Sequence, residues 1–296
     1  MSAWKHASAW RCAGAAGTLL LAIGAVIQLA HALAPFTPAQ APVGYVAQDE
    51  MSNHDLRSGS EIVYRTEYEK EFFSGNLYAY PVDALGRIAG APEWWGGGAQ
   101  VHVDAQDFDT GRLIATMKDS GAGAGAGVAF RFASLSATQQ GYLGSASVLN
   151  FLRGERSQEI PNAGKTLRQR KSARGDIVHS RPFYLQDASH PTVFVGANDG
   201  MLHAIDAATS GGRERWAYVP SMLINKMKSL SVSPYVHDYF VDGQINIASI
   251  SSSGSKRVLV GGLGGGGKGL YALDITGSAG LTAGTEAWTT ETLPSI

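Results

Sequence analysis

Cysteine is all but absent. The 296-residue chain holds one, Cys12, inside an apolar N-terminal run, so disulfides, cysteine-ligated zinc and a cysteine nucleophile are excluded for everything after it. Charge is also scarce, at 17% of residues, and it is balanced, with 24 Lys+Arg against 25 Asp+Glu. No basic block breaks that balance, which argues against nucleic acid as a partner. Past the N-terminal run no second stretch of about 18 apolar residues occurs, so no further segment reads as a spanning helix. Glycine is what the chain has in excess: 37 residues, where roughly 7% is ordinary. Abundant glycine, few charges and 44% hydrophobic residues fit a turn-rich β protein with a real core, not a helical bundle.

The N-terminus has the order of an export signal. Lys5, His6 and Arg11 precede the apolar run from Ala13 to Ala30, and Ala30-His31-Ala32 supplies a small-x-small cleavage site. Cleavage after Ala32 is preferred because Pro35 hinders the later Ala32-Leu33-Ala34 alternative. An uncleaved membrane anchor is the competing reading, and Gly14, Gly17, Thr18 and Gly24 weaken it by lowering the hydrophobicity of the run. Loss of Lys5 and Arg11 would leave 22 basic against 25 acidic residues.

Residues 33–60, with Pro35, Pro38 and Pro42, read as a linker. From residue 61 the pattern is that of strands: Glu61–Tyr68, Asn76–Tyr80, Val101–Asp104 and Arg112–Met117, with the Gly/Ala alternation of Gly121–Gly127 as a flexible loop. Two helices interrupt it. Ser136 and Gln139 have capping-box spacing and open a helix running to Arg153, with Gly154 as its stop. Ser221 to Leu230 is the second, and the charged stretch Glu155–Arg174 between them reads as a surface loop.

An internal repeat is the most informative feature. Thr192–Gly196, Asn198-Asp199-Gly200, Met201–Asp206 and Trp216 recur as Lys256–Gly261, Gly264–Gly267, Gly269–Asp274 and Trp288, and a looser copy runs from Ile62 through Gly75 to Trp94 or Trp95. The unit is strand, Gly turn, strand closing on Asp, turn, strand bearing Trp. The Gly turn makes an antiparallel hairpin, Asp206 and Asp274 can each bond turn backbone N–H groups, and the Trp fills the space between neighbouring sheets. Units that cannot bury both faces alone, repeated at this spacing, point to a β-propeller.

Between residues 175 and 275 a family comes into view. Gly175–Ser180, Arg181-Pro182, Val195–Asp206, Tyr218–Ser221, Tyr239–Gly243 and Val258–Asp274 follow in order a pattern that resembles the β-propeller of the PilY/PilC family, type IV pilus tip-associated adhesin and biogenesis proteins. Leu149–Arg156 and Val63–Thr66 extend the resemblance upstream. It implies an all-β fold, a partial β-propeller of about three to four blades with two inserted helices after an N-terminal signal helix. The expected organisation is signal peptide 1–32, linker 33–60 and partial propeller 61–296, shortened at the N-terminal side and truncated at the C-terminal side relative to the family. The implied function is non-enzymatic: type IV pilus biogenesis, surface adhesion and twitching motility. Minor pilins and the pilus assembly machinery, with host surface receptors, are the implied partners. The implied location is the cell surface or pilus, reached through the periplasm or outer membrane. The family also implies calcium, held by an Asp-x-Asp-x-Asn/Asp loop that is not found here, so no cofactor is expected in this chain. Two rival classes share the repeat: a quinoprotein dehydrogenase binding pyrroloquinoline quinone and calcium, and a propeller used purely as an assembly scaffold.

The candidate chemistry is sparse. Asp104, Asp107 and Asp109 cluster before Gly111, but an EF-hand frame counted from Asp107 places Lys118 at position 12, so a polar turn is the better reading. Asn198-Asp199-Gly200 is a hairpin signal, His203 a core or interface histidine, and Gly264–Gly267 with Lys268 a blade turn without the Ser/Thr that a phosphate loop needs. Arg174-Gly175-Asp176 is a candidate receptor-binding tripeptide if displayed on a loop, and a structural accident otherwise. Asn198, Asp199, Gly200, Asp206, Trp216, Gly269, Asp274 and Trp288 form the structural blade motif. No catalytic or metal residues are assigned. The export reading is checked by mass spectrometry of protein from the exporting cell: loss of the first 32 residues is expected, and recovery of only full-length membrane-bound chain overturns cleavage.

Overall fold

The computed structural model describes residues 48–52, 62–83, 88, 94–119, 126–187, 190–249 and 256–276. The signal segment, residues 121–125 of the Gly/Ala stretch and Trp288 lie outside them. The first sheet is antiparallel: β1 (Gln48–Ser52), β2 (Ile62–Glu69) and β3 (Ser74–Pro81), in that order. Along β2, Ile62, Tyr64, Thr66 and Tyr68 are buried and the intervening residues are partly exposed, the period of a strand with one face on a core. Strand β1 falls inside the stretch read as a linker; its backbone pairs with β2 from Gln48 opposite Glu67 to Ser52 opposite Val63.

A six-stranded sheet forms the centre. Its members are β4 (Ile114–Lys118), β5 (Ala126–Ala129), β6 (Phe183–Leu185), β7 (Thr192–Ala197), β8 (Met201–Asp206) and β9 (Glu214–Val219), ordered β5-β4-β9-β8-β7-β6. All neighbours are antiparallel except β4 with β9, which is parallel. Every residue of β7 is buried, because Phe194 joins one core and Val193 and Val195 join another on the opposite face. The third sheet is the antiparallel set β10 (Ile245–Ser249), β11 (Arg257–Gly262) and β12 (Leu270–Asp274). None of the described sheets closes on itself.

The repeat is real in three dimensions. Thr192 stands opposite Asp206 in one copy and Val258 opposite Asp274 in the other. Each Asp accepts a bond through Oδ1 from the N–H two residues on, Ala208 and Thr276, both at 3.0 Å. The residue after each Asp donates back to the preceding strand, Ala207 to Pro191 and Ile275 to Arg257. Trp216 is 2% exposed and lies 5.7 Å from Phe194, ring centre to ring centre. The looser copy is tied to this sheet by Tyr64 Oη donating to Ala207 O at 3.2 Å and Trp95 Nε1 donating to Ala208 O at 2.9 Å.

The helices depart from expectation in two places. Val101–Asp104 is not a strand but part of α1 (Gly98–Ala105). Gly96, Gly97 and Gly98 all have positive φ, the Asn76 carboxamide accepts from Gln100 N at 2.9 Å, and Ala99 and Val103, four apart, form the buried face. The single helix expected up to Arg153 is two, α2 (Ala137–Leu143) and α3 (Ala146–Arg153). The Ser136/Gln139 capping box opens α2, but Gly144 at φ 83° ends it and Ser145 caps α3 anew. Ser221–Ser231 is helical throughout, as expected, but α-helical only at α4 (Ile224–Met227), between two 3-10 turns. Four α-helical segments are therefore described, not two.

Two glycines test this packing. A Cβ at Gly266 would stand 1.7 Å from Phe240 O, whereas one at Gly141, on the exposed side of α2, would meet nothing within 4 Å. Gly266→Ala should cost about 3 kcal/mol through the backbone clash, and Gly141→Ala should add about 0.5–1 kcal/mol through helix propensity. Chemical denaturation of both variants checks the signs.

Candidate functional site

Strands β8 and β9, their turns and the loop before β4 bring a set of charged side chains into the interior. Arg112 makes a two-pronged bond to Glu214, Nε to Oε1 and Nη2 to Oε2, each 2.8 Å, and donates to Arg153 O at 2.6 Å. Glu214 Oε2 also contacts His203 Nδ1 at 2.6 Å, and the other ring nitrogen of His203 reaches Asp199 at 3.1 Å. Asp199 accepts from Gly175 N and Met201 N. Gln106 brackets the Glu214 backbone, accepting its N–H at 2.9 Å and donating to its carbonyl at 3.1 Å. All four ionisable groups are buried, His203 completely.

This geometry fixes the protonation. A neutral imidazole has one N–H, so two carboxylate contacts on opposite ring nitrogens require the imidazolium. Burial opposes charge on His203, and the Asp199 and Glu214 carboxylates overcome it, raising the group above its ordinary 6.5. Burial likewise opposes the Glu214 anion, yet Arg112 and His203 hold its carboxyl well below the usual range. Asp199 is held low in the same way, by His203 and the Gly175 N–H against burial. Both nitrogens of His203 are spent inside the fold, so the ring is not a general base for an outside substrate.

Against this set lies a small open cleft of ≈ 20 Å³. Arg168, Arg174, Asp176, Asn198, Phe73 and Tyr235 are among the residues that line it. Asp176 Oδ2 bonds His237 Nε2 at 2.8 Å and Asn198 Nδ2 at 3.2 Å, and the Arg168 guanidinium stacks 4.0 Å from the centre of the Tyr235 ring.

Residues 175–287 match the family model of the PilY1 beta-propeller domain, which spans β6 to β12 and the loop carrying Asp176. The chain is of the PilY1 type. It is 37% identical over 242 residues to a type IV pilus biogenesis factor PilY1 homolog of Xylella fastidiosa, an alignment covering 71% of this chain and 18% of that protein. It is 30% identical over 265 residues to the type IV pilus biogenesis factor PilY1 of Pseudomonas aeruginosa strain PAK, covering 75% of this chain and 22% of that protein. The chain thus spans about a fifth of the length of these relatives. No solved structure gives a significant match.

Within this PilY1-type fold the tripeptide Arg174-Gly175-Asp176 is not displayed. Arg174 is 1% and Asp176 3% exposed, and Gly175 bridges Ser74 and donates to Asp199. The loop reading of Glu155–Arg174 holds as to regular structure, but its C-terminal end is interior. Asn198-Asp199-Gly200 is the β7–β8 turn, with Gly200 at φ 94°, and Asp199 has in addition the charged role that its hairpin signal hid. Gly269 sits ahead of β12, where Asp274 closes the strand. The blade turn Gly264–Gly267 is a 3-10 turn seated on Phe240–Gly243.

The Asp104–Asp109 turn spends its carboxylates on internal bonds. Asp107 Oδ1 is occupied by Asp109 N, Thr110 N and Thr110 Oγ1, Asp104 Oδ1 by Ser172 and Ala173, and Asp109 by Arg131. Among the described residues no group of three or more His, Cys, Asp and Glu converges as a metal site would need. Sequence reasoning missed Arg112, Glu214 and Gln106, because the bonds of Arg112 and Gln106 to Glu214 span 102 and 108 positions. The bulge in β9 sets Glu214 opposite Ile205, on the face of His203 and away from Trp216, a placement no local pattern announces.

The signs of these shifts set a stability profile. The raised His203 stabilises fully below its ordinary 6.5, and that contribution is lost as pH rises through the folded value. The lowered Glu214 stabilises fully above its ordinary 4.5 and is lost as pH falls through the folded value. The melting temperature should therefore be highest between about pH 4.5 and 6.5, falling on both sides. His203→Gln should flatten the alkaline limb; a limb unchanged by that variant overturns the assignment.

Proposed function

We propose that this chain acts in type IV pilus biogenesis as a binding and assembly element, not an enzyme. The observation that carries this is the PilY1 beta-propeller match over residues 175–287, laid on the central and third sheets. The buried ion network supports it, because it locks segments together and leaves no ring nitrogen or carboxylate poised toward a substrate. Surface attachment, twitching motility, resistance to retraction, export by the N-terminal signal and contact with minor pilins are the finer parts of the same reading. They rest on the relatives' printed role in pilus biogenesis and on the residue patterns described above. Calcium dependence is not part of the reading for this chain.

Deleting the coding region in the native host and complementing it tests the reading. Loss of surface pili and of twitching, both restored by the wild-type chain, is the expected result. A Glu214→Leu chain, which leaves Arg112 and His203 as uncompensated buried cations at a cost of about 3–5 kcal/mol, should fail to restore either. Unchanged piliation and twitching in the deletion strain overturn the reading.

A further inference from the structure

Arg174 is the least satisfied side chain in the interior. Nε, Nη1 and Nη2 are all buried, and none has a hydrogen-bond partner among the described residues. Burial already weakens the charge, pulling the guanidinium down to about 10, but at neutral pH it remains cationic. Buried N–H donors without acceptors are strongly destabilising, so native proteins place a water or ion beside them. Arg174 lines the cleft described above, and so does Arg168, whose one bonded guanidinium nitrogen among the described residues is Nε, to Leu230 O at 2.9 Å.

The carboxylates in this region are already committed. Arg170 pairs with Glu159, Arg112 with Glu214, and His203 with Asp199. Two carboxylates line the cleft with Arg168 and Arg174: Asp199, taken up by His203, Gly175 N and Met201 N, and Asp176, whose Oδ2 is shared by His237 and Asn198. Arg174 feels Asp199, Glu214 and Asp104 through space but bonds none of them.

We propose that the cleft beside Arg174 is a binding site for a single carboxylate group, clasped by the guanidinium groups of Arg174 and Arg168 and bordered by Phe73 and Tyr235. A planar carboxylate matches the fork of a guanidinium and can accept two N–H bonds at once. The group comes either from a free small carboxylate or from an acidic side chain of a partner segment lying across the mouth.

Thermal unfolding and calorimetry of the purified full chain, titrated with formate and acetate against sodium chloride at matched ionic strength, test the site. A saturable rise in melting temperature with the carboxylates and not with chloride is expected. It should vanish in Arg174→Gln, and affinity should drop about tenfold, the equivalent of 1.4 kcal/mol, in Arg168→Gln, which keeps the site readable if the Arg174 variant does not fold. No saturable response in the wild type means that ordered water alone satisfies Arg174 and overturns the proposal. So does a response equal in chloride, or one unchanged by either variant. Given formate binding, competition by a short Asp/Glu peptide assigns the carboxylate to a partner segment, and lack of competition assigns it to a free small molecule. The readout requires no pili, so it stands or falls separately from the role in pilus biogenesis.

Discussion

One imidazolium held between two carboxylates decides how the centre of the fold is assembled. Asp199 belongs to the β7–β8 turn, His203 to β8 and Glu214 to β9, and Arg112 completes the chain from the segment leading into β4. Charged groups this deep gain little net stability, because the cost of removing them from water nearly equals their attraction. Their effect is selective. A one-residue slip of β8 against β9 would carry the His203 ring to the opposite face and leave Glu214, Arg112 and Asp199 as buried, unpaired charges. The irregularity between Ala204 and Ile205 in that ladder follows, since Ala204 stands opposite Trp216 while Ile205 stands opposite Glu214. The parallel seat of β4 on β9 also follows, because Arg112 delivers the strand to that edge already anchored to β9.

The sequence disclosed what is encoded within a dozen residues and little of what is encoded across a hundred. Asp206 and Asp274 announce themselves because an Asp that ends a strand bonds its own turn, and the β6–β7–β8 and β10–β11–β12 copies repeat that bond. The Ser136/Gln139 box is equally local. Val101-His102-Val103 misleads because apolar alternation over three residues is shared by strands and short helices, and the three glycines before it are what turn the chain into α1. The site was illegible for a different reason. Arg112 and Glu214 are 102 positions apart, and neither residue has a neighbour in the chain that betrays a partner.

The tripeptide at 174–176 shows the same limit from the other side. Read as three letters it resembles a displayed recognition loop; read in the fold, each residue is committed to the interior. Gly175 bonds the Asp199 carboxylate and lies so close to the next turn that a Cβ would stand 2.2 Å from Asp199 N. Asp176 accepts from Asn198 and His237. Arg174 alone is unspent, and it is unspent inside. Its chemistry is thus available only to something small enough to enter the cleft, not to a receptor surface.

Close backbone approach also explains the glycine excess better than turns alone do. Gly175 meets the β7–β8 turn, Gly243 meets Gly262 O at 2.3 Å from where its Cβ would be, and Gly266 meets Phe240 O. The Gly175 and Gly266 contacts join separate loops, while Gly243 meets the end of β11 across the β10–β11 pair. Loops that touch through their main chains transmit position without a side chain between them, so the ion network at β8 and β9 and the turn before β12 are connected through Asn198, whose side chain accepts from Phe240 N at 2.9 Å. Asn198 also lines the cleft and bonds Asp176. A group bound beside Arg174 would therefore sit one residue from the joint between the central sheet and the loop leading to the third, where occupancy of a small site can alter how two sheets are held.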